Sequence, residues 1–301
     1  MDSELGIFIQ QTVNAISLGG TYALLALGLA IIFSIMGMIN FAHGELMTIT
    51  GYTLMYCGVA GLPFYISAPL AVIVAIGAAV LMERIAFRPV RGGSPASMLV
   101  TSFAVAIILQ TLFQNLISTR SKAVILPDMF AQSIHFGDLS IGINQIMSIS
   151  LTVVILVSLN WFLRKTILGM AMRAAAEDFS IARLMGVRAN AVIAGAFAIS
   201  GALAGAAGVL WVAQRASVDP HMGFVPVLKA FIAAILGGLG SLTGAVAGGF
   251  ALGFIEIYLA AYLPDNIQPF KEALALGLVI AVLLVRPNGL IPAVTVGREK
   301  V

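Results

Sequence analysis

Three polar side chains lie close together in one of the most apolar parts of the sequence, the stretch GMINFAHGELM at residues 37–47. They are an amide, an imidazole and a carboxylate, on Asn40, His43 and Glu45. An ionised carboxylate within a bilayer is costly unless it faces protein, water or a partner group. The stretch therefore predicts either a segment that lines or gates a polar pathway, or a turn at the cytoplasmic interface whose side chains are hydrated or cap the next helix.

Glycines flank this stretch and recur in a second one. Gly37 and Gly44 would let the backbone unwind, which membrane proteins tolerate only against protein or a water-filled cavity. The second stretch, GGLGSLTG, lacks the Gly-Lys-Ser/Thr ending of a phosphate-binding loop, so it predicts no nucleotide site in this chain. We expect both stretches to interrupt helices beside a translocation path, and the second adds the candidate residues Gly237, Gly238 and Gly240.

Two further charges stand inside apolar runs, Lys229 in VPVLKAFIAAIL and Glu256 in GFALGFIEIY. They could pair with each other or with Glu45, which would reduce the cost of burying them. Alternatively, the long Lys229 side chain could extend to the outer interface and leave its ammonium group in water.

The composition is that of an all-α polytopic integral membrane protein. Of the 301 residues, 60% are hydrophobic and 10% are charged, whereas soluble domains carry about 25% charged residues. A bilayer-crossing helix needs about 20 apolar residues, and runs of this kind predict one transmembrane domain over residues 1–301. The count is eight or nine spans, because the glycine-rich stretch can divide residues 226–262. We expect the spans near 11–35, 41–60, 66–83, 98–118, 146–163, 191–214, 226–239, 243–262 and 271–285.

Several classes of site are disfavoured. The single Cys57 excludes an intrachain disulfide and a Cys-x-x-Cys metal site. The motifs HExxH and GxSxG are absent and the three histidines are far apart in sequence, so neither a metal site nor a catalytic group is predicted. The net charge of +3 gives no sign of nucleic-acid binding.

Basic residues predict the orientation. Most of them fall on loops that a nine-span chain places on one side, which the positive-inside rule makes cytoplasmic. The N-terminus and a loop over residues 119–145 are then external, and a loop over residues 164–190 and the C-terminus are cytoplasmic. The basic residues in question are Arg84, Arg88, Arg91, Arg164, Lys165, Arg173, Arg183, Arg188, Arg286, Arg298 and Lys300.

The span order also suggests internal symmetry. If residues 146–163 form a lone central span, four spans precede it and four follow it, starting on opposite sides of the membrane. A repeat of four helices would therefore be inverted, as in many transporters.

The cytoplasmic loop contains the most informative hydrophilic segment, GMAMRAAAEDFSIARLMGVRANAV at residues 169–192. Its pattern predicts one short amphipathic helix that ends at Gly186. The apolar ridge favours insertion into a cleft of another protein over adsorption to the membrane, because two acids on the helix would be repelled by anionic lipid. The residues expected to make this contact are Arg173, Ala175, Ala176, Glu177, Asp178, Arg183 and Gly186.

Four stretches together resemble a known family. Residues 14–52, 83–91, 173–187 and 229–256 are similar, in this order, to the permeases of high-affinity branched-chain amino acid ABC importers, most of all to the first of that system's two permeases. The resemblance extends from about residue 8 to VRPNGLI at residues 285–291. Ala175, Ala176, Glu177 and Gly186 match part of the EAA…G pattern of the helix that couples such permeases to their ATPases.

The resemblance implies a multi-pass subunit of the bacterial inner membrane that is not itself an enzyme. It implies a heterodimer with a second permease, two cytoplasmic ATPase subunits that bind ATP and Mg, and an external solute-binding protein, with no cofactor on this chain. The solute would be leucine, isoleucine, valine or a related small polar molecule, since similar permeases carry urea or short amides. The alternative is a self-sufficient secondary transporter or channel, which would leave the amphipathic cytoplasmic helix unexplained.

Overall fold

A computed structural model of the chain describes residues 2–136 and 139–292. The basic tail residues Arg298 and Lys300 lie outside this part of the chain. The helices are α1 (Asp2–Met36), α2 (His43–Val59), α3 (Phe64–Met82), α4 (Pro95–Leu116), α5 (Ile143–Lys165), α6 (Ile167–Glu177), α7 (Phe179–Leu184), α8 (Ala189–Arg215), α9 (Phe224–Gly237), α10 (Leu242–Tyr262) and α11 (Lys271–Val285). Short π and 3-10 turns, Glu83–Phe87 and Arg88–Val90, extend α3.

Each of the nine expected spans coincides with a helix, but the helices are of two kinds. In the described part of the chain, seven helices are long and apolar enough to cross a membrane, and α11 is one of them when the 3-10 turn Gln268–Phe270 that precedes it is included. The other two, α2 and α9, have 17 and 14 residues and are shorter than a full crossing requires. The expected eight or nine full spans are therefore seven full spans and two shorter helices.

The helices before α5 and those after it have matching neighbours. Three contacts made by helices of the first half have an equivalent made by helices of the second. The α1–α10 contact corresponds to α8–α3, the α2–α8 contact to α9–α1, and the α2–α3 contact to α9–α10. Exchanging α1–α4 with α8–α11 therefore leaves this arrangement of contacts unchanged.

Close contacts also fix the helix directions. α1 with α10, α9 with α10 and α2 with α9 are antiparallel, whereas α2 and α8 are parallel. The contacting pairs are Ala23–Gly249 and Gly19–Gly253 for α1 with α10, Gly237–Gly244 and Ala233–Gly248 for α9 with α10, Gly44–Val227 and Thr48–Gly223 for α2 with α9, and His43–Ser200 and Thr50–Gly208 for α2 with α8. α1 and α8 consequently run in opposite directions, so the two halves form the inverted repeat that the sequence suggests.

Each short helix follows a non-helical segment in which the chain reverses direction, here called a return. α1 ends at Met36, and Gly37 turns the backbone with φ +66°. α8 ends at Arg215, and Ala216 adopts φ +52°, the one positive value among the described non-glycine residues. The two returns, residues 37–42 and 216–223, lead into α2 and α9 and occupy equivalent places in the two halves.

The predicted external loop contains strands that the sequence analysis did not foresee. β1 (Lys122–Ala123) pairs antiparallel with β4 (Ser217–Val218), and β2 (Ser133–Phe136) forms a hairpin with β3 (Leu139–Gly142). The hairpin lies beside the start of α1, where the Ser140 amide donates to Gln10 Oε1 at 3.2 Å. The membrane part is all-α, but the segment of residues 119–145 is not.

The prediction of one amphipathic helix in the cytoplasmic loop is wrong. Asp178 is extended, with φ −149°, and separates α6 from α7. Its Oδ1 accepts hydrogen bonds from the amides of Ser180 and Ile181 at 2.8 and 3.0 Å, which caps the start of α7. Gly186 ends this segment, as expected, with φ +88°.

The α1–α10 contact gives a stability prediction. A Cβ on Gly249 would overlap the backbone of Ala23, whereas one on Gly277 in α11 would meet nothing within 4 Å. We expect Gly249→Ala to reduce the free energy of unfolding by about 1–3 kcal/mol, as overpacking does, and Gly277→Ala to leave it equal or higher. Thermal unfolding of the purified chain in detergent measures both, and equal effects would show that this contact is not close-packed.

Candidate functional site

His43 lies at the centre of the helix bundle. Its side chain is fully buried, and its Nδ1 shares a 2.9 Å hydrogen bond with Ser200 Oγ on α8. The ring also fills the space beside Gly28, where an added Cβ would be 2.6 Å from it. His43 therefore connects α1, α2 and α8, and α2 begins beside Gly28, about 12 Å back along α1 from its end at Met36.

The other residues of this stretch are also inside protein. Glu45 Oε1 accepts a hydrogen bond from Gln110 Nε2 of α4 at 2.7 Å, and the Phe41 amide donates to Ser102 Oγ at 3.3 Å. Asn40 and Glu45 are each 1% exposed. These side chains are therefore not hydrated at an interface, as one sequence interpretation had it.

Several buried polar atoms of the stretch have no hydrogen-bond partner among the described residues. They are Asn40 Oδ1, His43 Nε2 and Glu45 Oε2. Burying a polar atom without a partner is unfavourable, so this region is polar without being fully satisfied by protein groups.

α2 and α9 cross where no side chain fits. A Cβ on Gly44 would overlap the carbonyl of Gly223, and one on Gly223 would overlap that of Gly44. The Gly223 amide donates to Thr48 Oγ1 at 3.2 Å, which holds the crossing together. The N-termini of both short helices therefore meet within the bundle.

The second glycine stretch lies elsewhere. Gly238 and Gly240, with φ +117° and +87°, form the turn between α9 and α10. The Ile291 amide donates to the carbonyl of Gly237 at 2.9 Å, so the segment after α11 packs against this turn. The turn is separated from the α2–α9 crossing by the length of α9, about 20 Å for its 14 residues.

The intramembrane charges pair with each other and not with Glu45. Lys229 Nζ lies 2.8 Å from Glu256 Oε1 and 3.7 Å from Glu272 Oε1, and the Tyr22 hydroxyl donates to Glu256 Oε2 at 2.9 Å. The Lys229 and Glu256 side chains are 20% and 17% exposed. The sequence analysis left this pairing open and did not identify Tyr22 or Glu272 as its other members.

The ion pair lies in a cavity of about 580 Å³, here called the outer cavity because it shares a half of the molecule with the predicted external loop. Met222 and Pro226 line the cavity and flank Gly223, so the cavity reaches the α2–α9 crossing. Its charged residues are three basic and three acidic ones, Arg215, Lys229, Lys271, Asp219, Glu256 and Glu272. Two larger clefts, of about 800 and 1000 Å³, are lined mostly by apolar side chains.

The predicted ATPase-contacting residues divide into two sets. Arg173 Nε donates to the carbonyl of Leu163 at 3.0 Å, and Ala175 is buried, so these two attach α6 to α5. Ala176, Glu177, Arg183 and Gly186 are exposed, and Asp178 caps α7. Beside them three apolar side chains project outward, namely Ile181, Leu184 and Met185 at 59, 87 and 81% exposure.

The described part of the chain offers no group of three or more His, Cys, Asp or Glu side chains that could hold a metal ion.

Comparison with known proteins places these features in context. Residues 11–283 match the profile of the family described as branched-chain amino acid transport system / permease component. The chain is 36% identical to the high-affinity branched-chain amino acid transport system permease protein BraD of Pseudomonas aeruginosa, over 96% of this chain and 97% of BraD. It is 35% identical to LivH of Escherichia coli, a permease protein of the same description, over 97% of both chains.

A second permease protein of that system, LivM of Escherichia coli, is 27% identical over 93% of this chain and 70% of LivM. Among solved structures, PsaBC from Streptococcus pneumoniae in complex with Fab is similar with a TM-score of 0.49 and 13% identity, over 90% of both chains.

The buried ion pair can be tested by a double-mutant cycle. Lys229→Met and Glu256→Gln should each lower stability, because the first leaves Glu256 without a cation and the second leaves Lys229 with only the more distant Glu272. The double variant should lose less than the sum of the two, with a coupling of about 0.5–3 kcal/mol, measured by unfolding in detergent. The control pair is Lys165→Met with Glu4→Gln, at opposite ends of the bundle, for which we expect additivity. Additive losses for Lys229 and Glu256 would contradict a stabilising pair.

Proposed function

The chain belongs to the family of branched-chain amino acid transport permease components, and we propose that it forms part of the membrane pathway of an ATP-driven importer for branched-chain amino acids or related small polar solutes. The observation that supports this most is the position of the α2–α9 crossing. Two short helices meet there between a charged cavity on one side and the partly unsatisfied stretch of residues 37–47 on the other. Interrupted helices at mid-membrane depth are where transporters place their pathways.

The crossing is suited to act as a gate. Gly44 and Gly223 touch through their backbones, so a small separation of α2 from α9 would open a gap that no side chain fills. Asn40, His43 and Glu45 each keep one polar atom without a partner, and such an atom gains a partner when the pathway admits water or solute. We assign the gating role to this stretch, with Gly37 as the hinge into it. Gly237, Gly238 and Gly240 hold the inner end of α9, the helix that would move.

A second permease is the expected neighbour. LivH and LivM are two permease proteins with the same system description in Escherichia coli, and this chain is similar to both. Its α4 and α11 have few buried residues, and their apolar side chains face outward. We propose that a homologous permease and lipid cover these faces in a heterodimer.

α6 and α7 would transmit the ATPase cycle. In this proposal the exposed apolar group of Ile181, Leu184 and Met185 inserts into a cleft of one ATPase subunit, with Glu177 and Arg183 at its rim. Two ATPase subunits would bind ATP and Mg, since this chain offers no phosphate-binding loop. Closure of the ATPase dimer would move α6 and α7, and an external solute-binding protein would favour the opposite state.

The orientation proposed here is N-terminus outside and C-terminus in the cytoplasm, in the inner membrane of a bacterium. Arg91 donates to Asn190 Oδ1 at 2.8 Å, so the turn after α3 lies at the start of α8 and beside α6–α7. The basic loops thus share one end of the molecule, which the positive-inside rule assigns to the cytoplasm. The hairpin of β2 and β3 lies at the other end.

Disrupting α6–α7 should uncouple transport. In Glu177→Ala with Gly186→Leu, a side chain is forced onto a positive φ and an exposed charge is lost. We expect ATP-driven uptake to fall at least about tenfold, within the range of measured coupling energies, while the amount of chain in the membrane stays unchanged. The matched control is Glu4→Ala with Gly61→Leu, since Gly61 also has positive φ in open space but lies at the other end. Normal uptake in the first variant would refute the contact with the ATPase.

The charge of Glu45 can be tested separately. Glu45→Gln keeps the size of the side chain and can still bind Gln110, but it removes the ability of this side chain to ionise. We expect uptake to fall about tenfold, as the loss of a charged hydrogen bond would cause. Exposed Glu4→Gln serves as the control, and unchanged uptake in Glu45→Gln would exclude a role for the charge.

A further inference from the structure

A cleft of about 800 Å³, here called the inner cleft, lies between α5 and the pair of helices α1 and α10. Its wall is mostly apolar, with Leu27 of α1, Leu163 of α5 and Val246 of α10 among the lining residues. Two basic residues also line it, Arg164 in the last turn of α5 and Arg173 on α6. None of the described residues that line it is acidic. The inner cleft is therefore an apolar groove with positive charge at one end.

Both arginines of the inner cleft are available to an anion from outside the chain. Among the described residues, no carboxylate lies within ion-pair distance of Arg164 or Arg173. Arg173 Nε donates to the carbonyl of Leu163 at 3.0 Å, which holds this guanidinium at the same end of the cleft as Arg164. Guanidinium groups bind two oxygens of a phosphate side by side. This end of the cleft is therefore suited to a phosphate group.

The inner cleft has nearly the length of one leaflet of a bilayer. On α5 its lining extends from Leu156 to Arg164, which is about 12 Å along the helix axis. Half of a hydrocarbon core is about 15 Å thick. α5 ends at Lys165, in the basic loop that the proposed orientation places in the cytoplasm. The apolar wall thus lies at the depth of acyl chains of the cytoplasmic leaflet, and the arginines lie at the depth of its headgroups.

We propose that the inner cleft binds an anionic phospholipid of the cytoplasmic leaflet, with its phosphate on Arg164 and Arg173 and its acyl chains against the apolar wall. Basic recesses between transmembrane helices on the cytoplasmic side suit anionic headgroups. Charge complementarity selects this occupant, because a zwitterionic lipid brings a cation toward the two arginines and an apolar protein segment leaves both without a counter-ion.

The bound lipid has a structural consequence for the cytoplasmic end. Arg164 belongs to α5 and Arg173 to α6, so one phosphate would join the end of a transmembrane helix to the segment proposed to contact the ATPase. The site itself goes beyond the importer assignment, since it needs only a chain in a membrane with this end in the cytoplasm.

Lipid binding to the full chain in detergent tests the site. Native mass spectrometry counts bound lipids during titration with dioleoylphosphatidylglycerol or dioleoylphosphatidylcholine, which have the same acyl chains and differ in headgroup charge. We expect the first phosphatidylglycerol to bind at least about tenfold more tightly than phosphatidylcholine, since it gains charged hydrogen bonds. Glycerol 3-phosphate, which has the phosphate without acyl chains, should not displace it at equal concentration.

Two variants assign the preference to the arginines. Arg164→Gln should weaken it without affecting folding, because this side chain is exposed and forms no ion pair among the described residues. Arg164→Gln with Arg173→Gln should abolish it. The matched control is Arg84→Gln with Arg188→Gln, which removes the same charge from the same end of the molecule but not from the inner cleft, and the preference should persist.

Several outcomes would overturn the lipid site. They are equal affinity of the unaltered chain for the two lipids, an unchanged preference in both Arg164 variants, and an equal loss of preference in the control. Displacement by glycerol 3-phosphate would indicate a site for a soluble phosphate instead. The same titration on the chain purified with its bound proteins separates lipid from protein, since a preference that disappears there would show that a partner subunit covers the cleft.

Discussion

The contact between Gly44 and Gly223 is the constraint on which the rest of the structure depends. Because neither residue has a side chain, the starts of α2 and α9 can touch through their backbones inside the bundle. Each helix can then begin part-way through the membrane, and each returning segment is covered by protein, as backbone without helical hydrogen bonds requires. A larger residue at either position would separate the two halves at their centre.

The Gly44–Gly223 contact and the two returns also determine where polar groups lie inside the bundle. The return over residues 37–42 brings His43 against Gly28 and Ser200, and the return over residues 216–223 brings Asp219 to the outer cavity. The buried charges on α9 and α10 are tolerated because Lys229 and Glu256 pair directly and Tyr22 adds a hydrogen bond. The inverted repeat therefore holds the helices, while the paired charges of α9 and α10 lie in the outer cavity.

Much of this architecture follows from local sequence. Continuous apolar runs located nine of the eleven α-helices that the structure describes, and the glycines with Asn40, His43 and Glu45 indicated an interrupted helix. The break at Asp178 had a usable signal, since Asp is a preferred N-cap residue and an apolar segment follows it. The outer cavity had none, because Tyr22 and Glu256 are 234 residues apart in sequence and nothing local shows that they meet. β1 and β4 were missed for the same reason, since they pair across about 95 residues of sequence.

The importer account is tested most directly by transport with and without ATP. The chain would be purified from its host membranes with the proteins that remain bound, and reconstituted into liposomes with its solute-binding protein. The account predicts that radiolabelled leucine accumulates only when ATP is present on the side of α6–α7, and that the chain reconstituted alone transports nothing. Leucine transport by the chain alone, independent of ATP, would contradict the account and favour a self-sufficient transporter or channel.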